Sequence, residues 1–277
     1  IAAGYIGSDT NLDIVTANYG AGNITILTNN GQGGFATLTN FGTGSGAICP
    51  QLADFNGDGT TDIAVANYGA GTVSILLGNP DSTFQLVTNI GGFSSPYYMI
   101  AADLNADGHA DLAVPSYGGG YVSVLLGNND GTFQTRSNYT VGSNPASVAA
   151  GDIHGDGKID LAVANYSSAT VSLLTNVGNG TFRLMTNIAV ASNPRFVAIT
   201  DVTGDGIPDL VVLQYGNNTV GVLAGNGDGT FQTRRDYTTG AQNAYQFLVM
   251  DLNGDGRRDV VVPGYGNNVI TIMLNNG

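Results

Sequence analysis

The sequence predicts an all-β chain, a β-propeller of six blades with four antiparallel strands each, the last blade lacking its fourth strand. Three observations carry that reading. Asp-Gly-centred segments recur at near-constant spacing, with Asp54, Asp103, Asp152, Asp201 and Asp251 separated by 49, 49, 49 and 50 residues. Of 277 residues 42 are Gly, and all 21 acidic residues are Asp, a residue that favours turns and caps over helix interiors. Within each repeat, short apolar or alternating runs are punctuated by Gly, Asn and Asp.

A second register agrees with the first: Tyr19, Tyr68, Tyr117, Tyr166, Tyr215 and Tyr265 follow the same step, as do Phe35, Phe84, Phe133, Phe182 and Phe231. Stepping back from Asp54 reaches Tyr5, in a worn first copy that still aligns over residues 5–20. The whole chain therefore reads as one domain, with repeats near 1–47, 48–96, 97–145, 146–194, 195–244 and 245–277.

In the fourth repeat the expected strands are residues 147–151, 161–164, 170–174 and 182–188, the last two joined by a turn over 176–180. The first is made of small residues, as the innermost strand of a blade needs where blades converge. The second is apolar on both faces, which suits burial between neighbours. An open stack of β units is the alternative, and the repeat length together with the small-residue first strand favours the propeller. The chain begins inside a first strand and ends just after a third. The missing fourth strand is expected from residues before Ile1 or from another chain, or blade six keeps an exposed edge.

The chemistry is expected in the turn joining strands one and two. Calcium takes six to eight oxygen ligands, and a D-x-[N/H/T]-x-D-G-x-x-D loop offers side-chain oxygens at positions one, three, five and nine and a main-chain carbonyl at seven. The candidate ligands are Asp54, Asn56, Asp58, Thr60 and Asp62; Asp103, Asn105, Asp107, His109 and Asp111; Asp152, Asp156, Lys158 and Asp160; Asp201, Thr203, Asp205, Ile207 and Asp209; and Asp251, Asn253, Asp255, Arg257 and Asp259. Thr60, His109, Lys158, Ile207 and Arg257 enter through their carbonyls. His154 and Thr203 replace the Asn at position three, so those two loops are expected to bind more weakly. Tyr5 and Gly7 leave the first loop only Asp9 and Asp13, and it is expected to stay empty. Five Ca²⁺ would bring the net charge from −13 to −3. The EF-hand alternative fails because Val65 stands where the bidentate Glu belongs and a strand replaces the exiting helix.

Eight Lys plus Arg disfavour a nucleic-acid partner, and no apolar stretch approaches the length of a membrane-spanning helix. Cys49 has no intrachain partner and is expected to pack as a small first-strand residue. The absence of Glu, of a Gly-x-Ser-x-Gly elbow and of any His outside the Asp loops argues against an enzyme. Beginning at Ile1, the chain reads as a processed product or a fragment. Sequons at Asn23, Asn138, Asn165, Asn179 and Asn217 would permit glycosylation.

The segments DFNGDGTTDIAVANYG, DLNADGHADLAVPSYG, GDIHGDGKIDLAVANYS and DLNGDGRRDVVVPGYG, with LLGNNDGTFQ and LAGNGDGTFQ between them, make the chain resemble the FG-GAP/VCBS repeat family along nearly its whole length. That family includes the propeller of integrin α subunits, which has seven blades rather than six, and some fungal and bacterial lectins. The resemblance implies a calcium-binding propeller that is secreted or at the cell surface. A binding or adhesion module for carbohydrate or protein is the leading expectation, with the blade-specific Tyr97, Tyr98, Tyr121 and Tyr245 as candidate ligand contacts. A structural subunit of a surface assembly or filament, joined by strand complementation, is the alternative.

Overall fold

A computed structural model describes every residue except Ser8. The chain is an all-β propeller of six antiparallel blades, and among the described residues it contains no helix. The chain divides into two compact units, Ile1–Asn138 and Tyr139–Gly277, the boundary falling within the last strand of blade three.

In the first unit, blade one is β1 (Ala2–Tyr5), β2 (Leu12–Asn18), β3 (Asn23–Asn29) and β4 (Phe35–Gly42). Blade two is β5 (Ala47–Ala53), β6 (Asp62–Asn67), β7 (Thr72–Gly78) and β8 (Phe84–Ile90). Blade three is β9 (Ile100–Ala102), β10 (Asp111–Ser116), β11 (Tyr121–Leu125) and β12 (Ser137–Thr140). In the second unit, blade four is β13 (Pro145–Gly151), β14 (Asp160–Asn165), β15 (Thr170–Gly178) and β16 (Thr181–Ala189). Blade five is β17 (Pro194–Thr200), β18 (Asp209–Gln214), β19 (Thr219–Leu223) and β20 (Arg235–Thr238). Blade six is the three-stranded sheet of β21 (Leu248–Met250), β22 (Asp259–Gly264) and β23 (Val269–Met273).

Each blade is a meander, its strands paired in chain order. The expected turn over residues 176–180 is tighter than predicted, because the β15–β16 ladder continues to the Gly178–Thr181 pair through a bulge. The second strands β6, β10, β14 and β18 are buried at every position, so their lack of alternation reflects a strand covered on both faces. Small residues fill β13, but β17 carries Arg195 and Phe196, and the Phe196 ring packs edge-on against Phe247 at 5.2 Å. Cys49 sits at a bulge in β5 with its Sγ 3.3 Å from the Met99 carbonyl, and burial pushes its thiol up to about 11.

A polar rung crosses most blades at mid-height. In blade two Asn67 Nδ2 donates to Ser74 Oγ at 2.7 Å, and Ser74 Oγ donates to Asn89 Oδ1 at 2.5 Å. Blade four repeats it through Asn165, Ser172 and Asn187, at 2.8 and 2.5 Å. Blade five reaches the same end differently: the longer Gln214 bonds directly to Asp236 at 2.8 Å over Gly221, where a Cβ would lie 2.1 Å from Gln214 Nε2. Pairing the amide donors and hydroxyls within one sheet lowers the cost of burying them, while the Asn67 and Asn165 amide oxygens stay buried without a hydrogen-bond partner among the described residues.

Candidate functional site

The antiparallel pairing puts two kinds of residue at opposite ends of every blade. The Asp loops lie at one end, joining first strand to second; the recurrent tyrosines lie at the other, where the second strand turns into the third.

At the loop end, position one organises the turn. Asp54 accepts the N–H groups of Gly57 and Gly59 at 2.7 and 2.8 Å, and Asp103, Asp201 and Asp251 do the same with Ala106 and Gly108, Gly204 and Gly206, and Gly254 and Gly256. Asp152 holds the N–H groups of Asp156 and Gly157. Gly59, at φ +82°, occupies the left-handed region this bend requires. In three loops the position-three amide donates to the position-five carboxylate: Asn56 to Asp58 at 2.8 Å, Asn105 to Asp107 at 2.8 Å and Asn253 to Asp255 at 3.0 Å. Positions one, three and five are thus gathered on one short turn, and their donors are oxygens of the kind a hard cation takes. The donor set is mixed: a main-chain carbonyl and, in three loops, an amide stand beside two carboxylates, of which the position-five Asp is exposed and the position-one Asp is half-buried in four of the five loops; among the described residues no three His, Cys or Asp side chains converge as a metal cluster.

The position-seven side chains act on position five. Lys158 Nζ lies 2.7 Å from Asp156 Oδ2, His109 Nδ1 lies 3.3 Å from Asp107 Oδ1, and the Thr60 hydroxyl donates to Asp58. In the Asp201 loop, Thr203 gives its main-chain N–H to Asp209, and Ile207 gives its own to Asp205 at 2.9 Å. Arg257 likewise donates its N–H to Asp255 at 2.8 Å.

Position nine does something the sequence did not suggest. Asp62 is fully buried and accepts the N–H of Phe55 in its own loop and of Gly78 at the end of β7, both at 2.8 Å. Asp111 holds Leu104 and Gly127, Asp209 holds Val202 and Gly225, and Asp259 holds Leu252 and Asn275 in the same way. Asp160 holds Ile153 and Asn176 and also meets His154 Nδ1 at 2.6 Å. Asp13 in the worn first loop keeps the pattern with Ile6 and Asn29, while Asp9 accepts the N–H of Asn11. The position-nine Asp is thus a clamp between loop and third strand. The signal was its survival in a loop that has lost two other ligands.

Burial is the largest influence on Asp62 and Asp111 and raises both carboxyls; the N–H bonds of Gly78 and Phe55, or Gly127 and Leu104, oppose it, and the neighbouring loop Asp residues add to it. At Asp58 the Thr60 hydroxyl, then its N–H and the Asn56 amide, hold the carboxyl below its ordinary value. Loops also meet the next blade: Gly131 in the β11–β12 turn donates to the Phe55 carbonyl at 3.0 Å, and Asn275 Nδ2 donates to the Val202 carbonyl at 2.7 Å.

At the tyrosine end, the N–H of Tyr68, Tyr117, Tyr166 and Tyr215 bonds to the carbonyl of Gly46, Ser95, Asn144 and Asn193, tying the turn to the start of the first strand. Their rings form patches. In the first unit Tyr97 lies 5.8 Å from Tyr68, 5.5 Å from Tyr117 and 5.0 Å from Tyr98, centroid to centroid. In the second, Tyr215 lies 6.0 Å from both Tyr166 and Tyr245, and Tyr245 lies 5.8 Å from Tyr265. Tyr121 opens β11 with its ring where a side chain on Gly119 would stand. Of the four predicted contact tyrosines, Tyr97 and Tyr245 therefore join rings that the repeat supplies, and Tyr98 packs on Tyr97.

The family model described as FG-GAP-like repeat matches residues 8–65, 54–114, 103–163, 152–212 and 201–262. No curated protein sequence matches the chain. Among solved structures, a lectin of Agrocybe aegerita that recognises non-reducing terminal N-acetylglucosamine is similar over 98% of this chain and 78% of its own, at 23% identity and a TM-score of 0.63. A Lactobacillus plantarum protein is similar over 98% and 83%, at 18% identity and a TM-score of 0.70. A candidate 6-phosphogluconolactonase of Bacteroides uniformis is similar over 85% and 70%, at 18% identity and a TM-score of 0.65. At these identities the likeness is one of fold. It also corrects the expectation against an enzyme: proteins given an enzyme's name share this architecture, so missing Glu and Gly-x-Ser-x-Gly are no ground for excluding catalysis.

Proposed function

Since the chain belongs to the FG-GAP-like repeat family, we propose that it is a calcium-stabilised propeller of the extracellular space or cell surface that binds carbohydrate at the tyrosine end of its blades. The carrying observation is the pair of aromatic patches, one around Tyr97 in the first unit and one around Tyr245 in the second, each at the end of its blades opposite the acidic loops. Aromatic faces with polar tips suit the alternating C–H and hydroxyl surfaces of a sugar. The lectin of similar fold supports this reading.

Calcium enters through the loops. Asp54, Asn56 and Asp58 with the Thr60 carbonyl, and their counterparts in the other four loops, would hold it, and when bound it supplies positive charge that offsets the carboxylates. Loops without a bidentate Glu suit the roughly 10⁻⁴ to 10⁻³ M affinities of extracellular modules, which supports the location. The test is a glycan array with the calcium-loaded protein, compared with Tyr97→Ala and Tyr245→Ala. Signal lost in either variant supports the reading, and a blank array for the parent protein contradicts it.

A second reading, a subunit joined to its neighbours by strand complementation, rests on blade six. Ile270 and Ile272 of β23 are 72% and 58% exposed, whereas their counterparts Val171 and Leu173 beneath β16 are 0% and 2% exposed. An added strand would bury them. Growth of the protein into polymers, measured by light scattering, tests this.

A further inference from the structure

We propose that Arg195 makes the tyrosine patch of blades four to six selective for a saccharide bearing a carboxylate, a uronic acid; this rests on the carbohydrate reading above. Arg195 lies on β17 with its guanidinium carbon 4.1 Å from the Tyr245 ring centroid, 5.2 Å from that of Tyr215 and 5.7 Å from that of Tyr166. The surrounding turns and strand ends, residues 140–147, 163–171, 189–197, 212–220, 238–246 and 263–270, contain no other charged residue. On the outer strand Arg234 and Asp236 also reach this end, against the Ala189 carbonyl and the Gln214 amide, but they pair with each other at 2.8 Å, so in a chain of net charge −13 the turns themselves carry one charge, the positive Arg195.

The repeat does not require an Arg there. The same position, six residues before the first loop Asp, holds Ile48, Tyr97, Ala146 and Tyr245 in other blades. The charge is therefore particular to blade five. Stacking on tyrosine engages the face of the guanidinium, while its N–H groups lie in the plane and match a carboxylate in a two-bond fork. The rings alongside offer surface for the pyranose face. Repulsion from the Asp loops is weak at this end: β17 spans seven residues, and at about 3.3 Å per residue it separates the two ends by roughly 20 Å, beyond the ~8 Å Debye length of physiological salt.

The experiment measures binding of trigalacturonic acid, its methyl ester and a sulfated disaccharide by calorimetry at fixed calcium, to the parent protein, Arg195→Met and Arg195→Lys. The expected result is that the acid binds at least tenfold more tightly than its ester, that Arg195→Met removes this preference, and that Arg195→Lys, which keeps the charge but loses the fork, retains only part of it. A salt-dependent affinity for the acid but not the ester is expected in parallel. Equal binding of acid and ester overturns the selectivity and leaves the carbohydrate reading standing. Tighter binding of the sulfated sugar overturns the carboxylate assignment. If Arg195→Met alters melting, the Lys variant and the salt dependence carry the decision. Binding of none of the probes overturns the proposal, and only a blank array as well would remove the reading beneath it.

Discussion

Asp13 accepts the main-chain N–H of Asn29 at 2.7 Å, the bond that Asp62 makes to Gly78 one blade later, although the first loop has lost the ligands of positions one and three. The clamp therefore persists where half of the side-chain ligand pattern is gone. Asp13→Ala leaves the buried N–H of Ile6 and the half-buried N–H of Asn29 without their acceptor and is expected to cost about 1–3 kcal/mol. Thermal melts should show the same loss with calcium and with chelator. A loss seen only with calcium would make Asp13 a ligand instead.

Gly221 marks a second dependence. A methyl group there would collide with Gln214 Nε2 and lie within 2.9 Å of Asp236 Oδ1, so Gly221→Ala should break the Gln214–Asp236 bond and destabilise by about 1–3 kcal/mol. Gln214→Asn in the same chain makes room and should recover part of the loss. Equal melting of Gly221→Ala and the parent protein would refute the rung.

The carboxyls should separate on titration of chelated protein. Burial raises Asp62 and Asp111, so their share of stability is fully present below the ordinary carboxyl value of about 3.9 and is lost as pH rises through the folded value. Asp58 and Asp81, held low by the hydroxyls and N–H groups of Thr60 and Thr83, contribute stability above that value and lose it as pH falls. Carboxyl carbon NMR should place the midpoints of Asp62 and Asp111 above those of Asp58 and Asp81. The reverse order would contradict the burial argument.

The edge of blade six gives a mutational test of the second reading. Replacing Ile270 and Ile272 by Lys puts charge on an apolar edge strand and should abolish any calcium-dependent self-association while leaving the melting temperature nearly unchanged, because both side chains are already exposed. Unaltered association in the double variant would remove β23 from the assembly.

The fold was legible because spacing is a direct record of architecture. Asp54 to Asp251 set the loops, Tyr68 and its counterparts set the opposite ends, and the apolar run of residues 161–164 marked a strand covered on both faces. The roles inside the loops were less legible. Asp62 reads in sequence as a fourth metal ligand, and only its burial against Gly78 reveals the clamp. The exchange at Gln214, Gly221 and Asp236 was hidden because its three members lie on different strands. Arg195 carries no signal in the sequence, because the tyrosine rings around it come from the turns of three blades. The argument against catalysis went furthest astray, since it read function from missing motifs and the fold is shared by proteins given an enzyme's name.

The most direct measurement is a calcium titration of the metal-free protein followed by calorimetry and by melting temperature. Calcium is predicted to bind at up to five graded sites with dissociation constants of about 10⁻⁴ to 10⁻³ M, to raise the melting temperature, and to lose one site in Asp58→Ala and none in Asp9→Ala. No binding heat together with a melt unchanged by calcium or chelator would contradict the account.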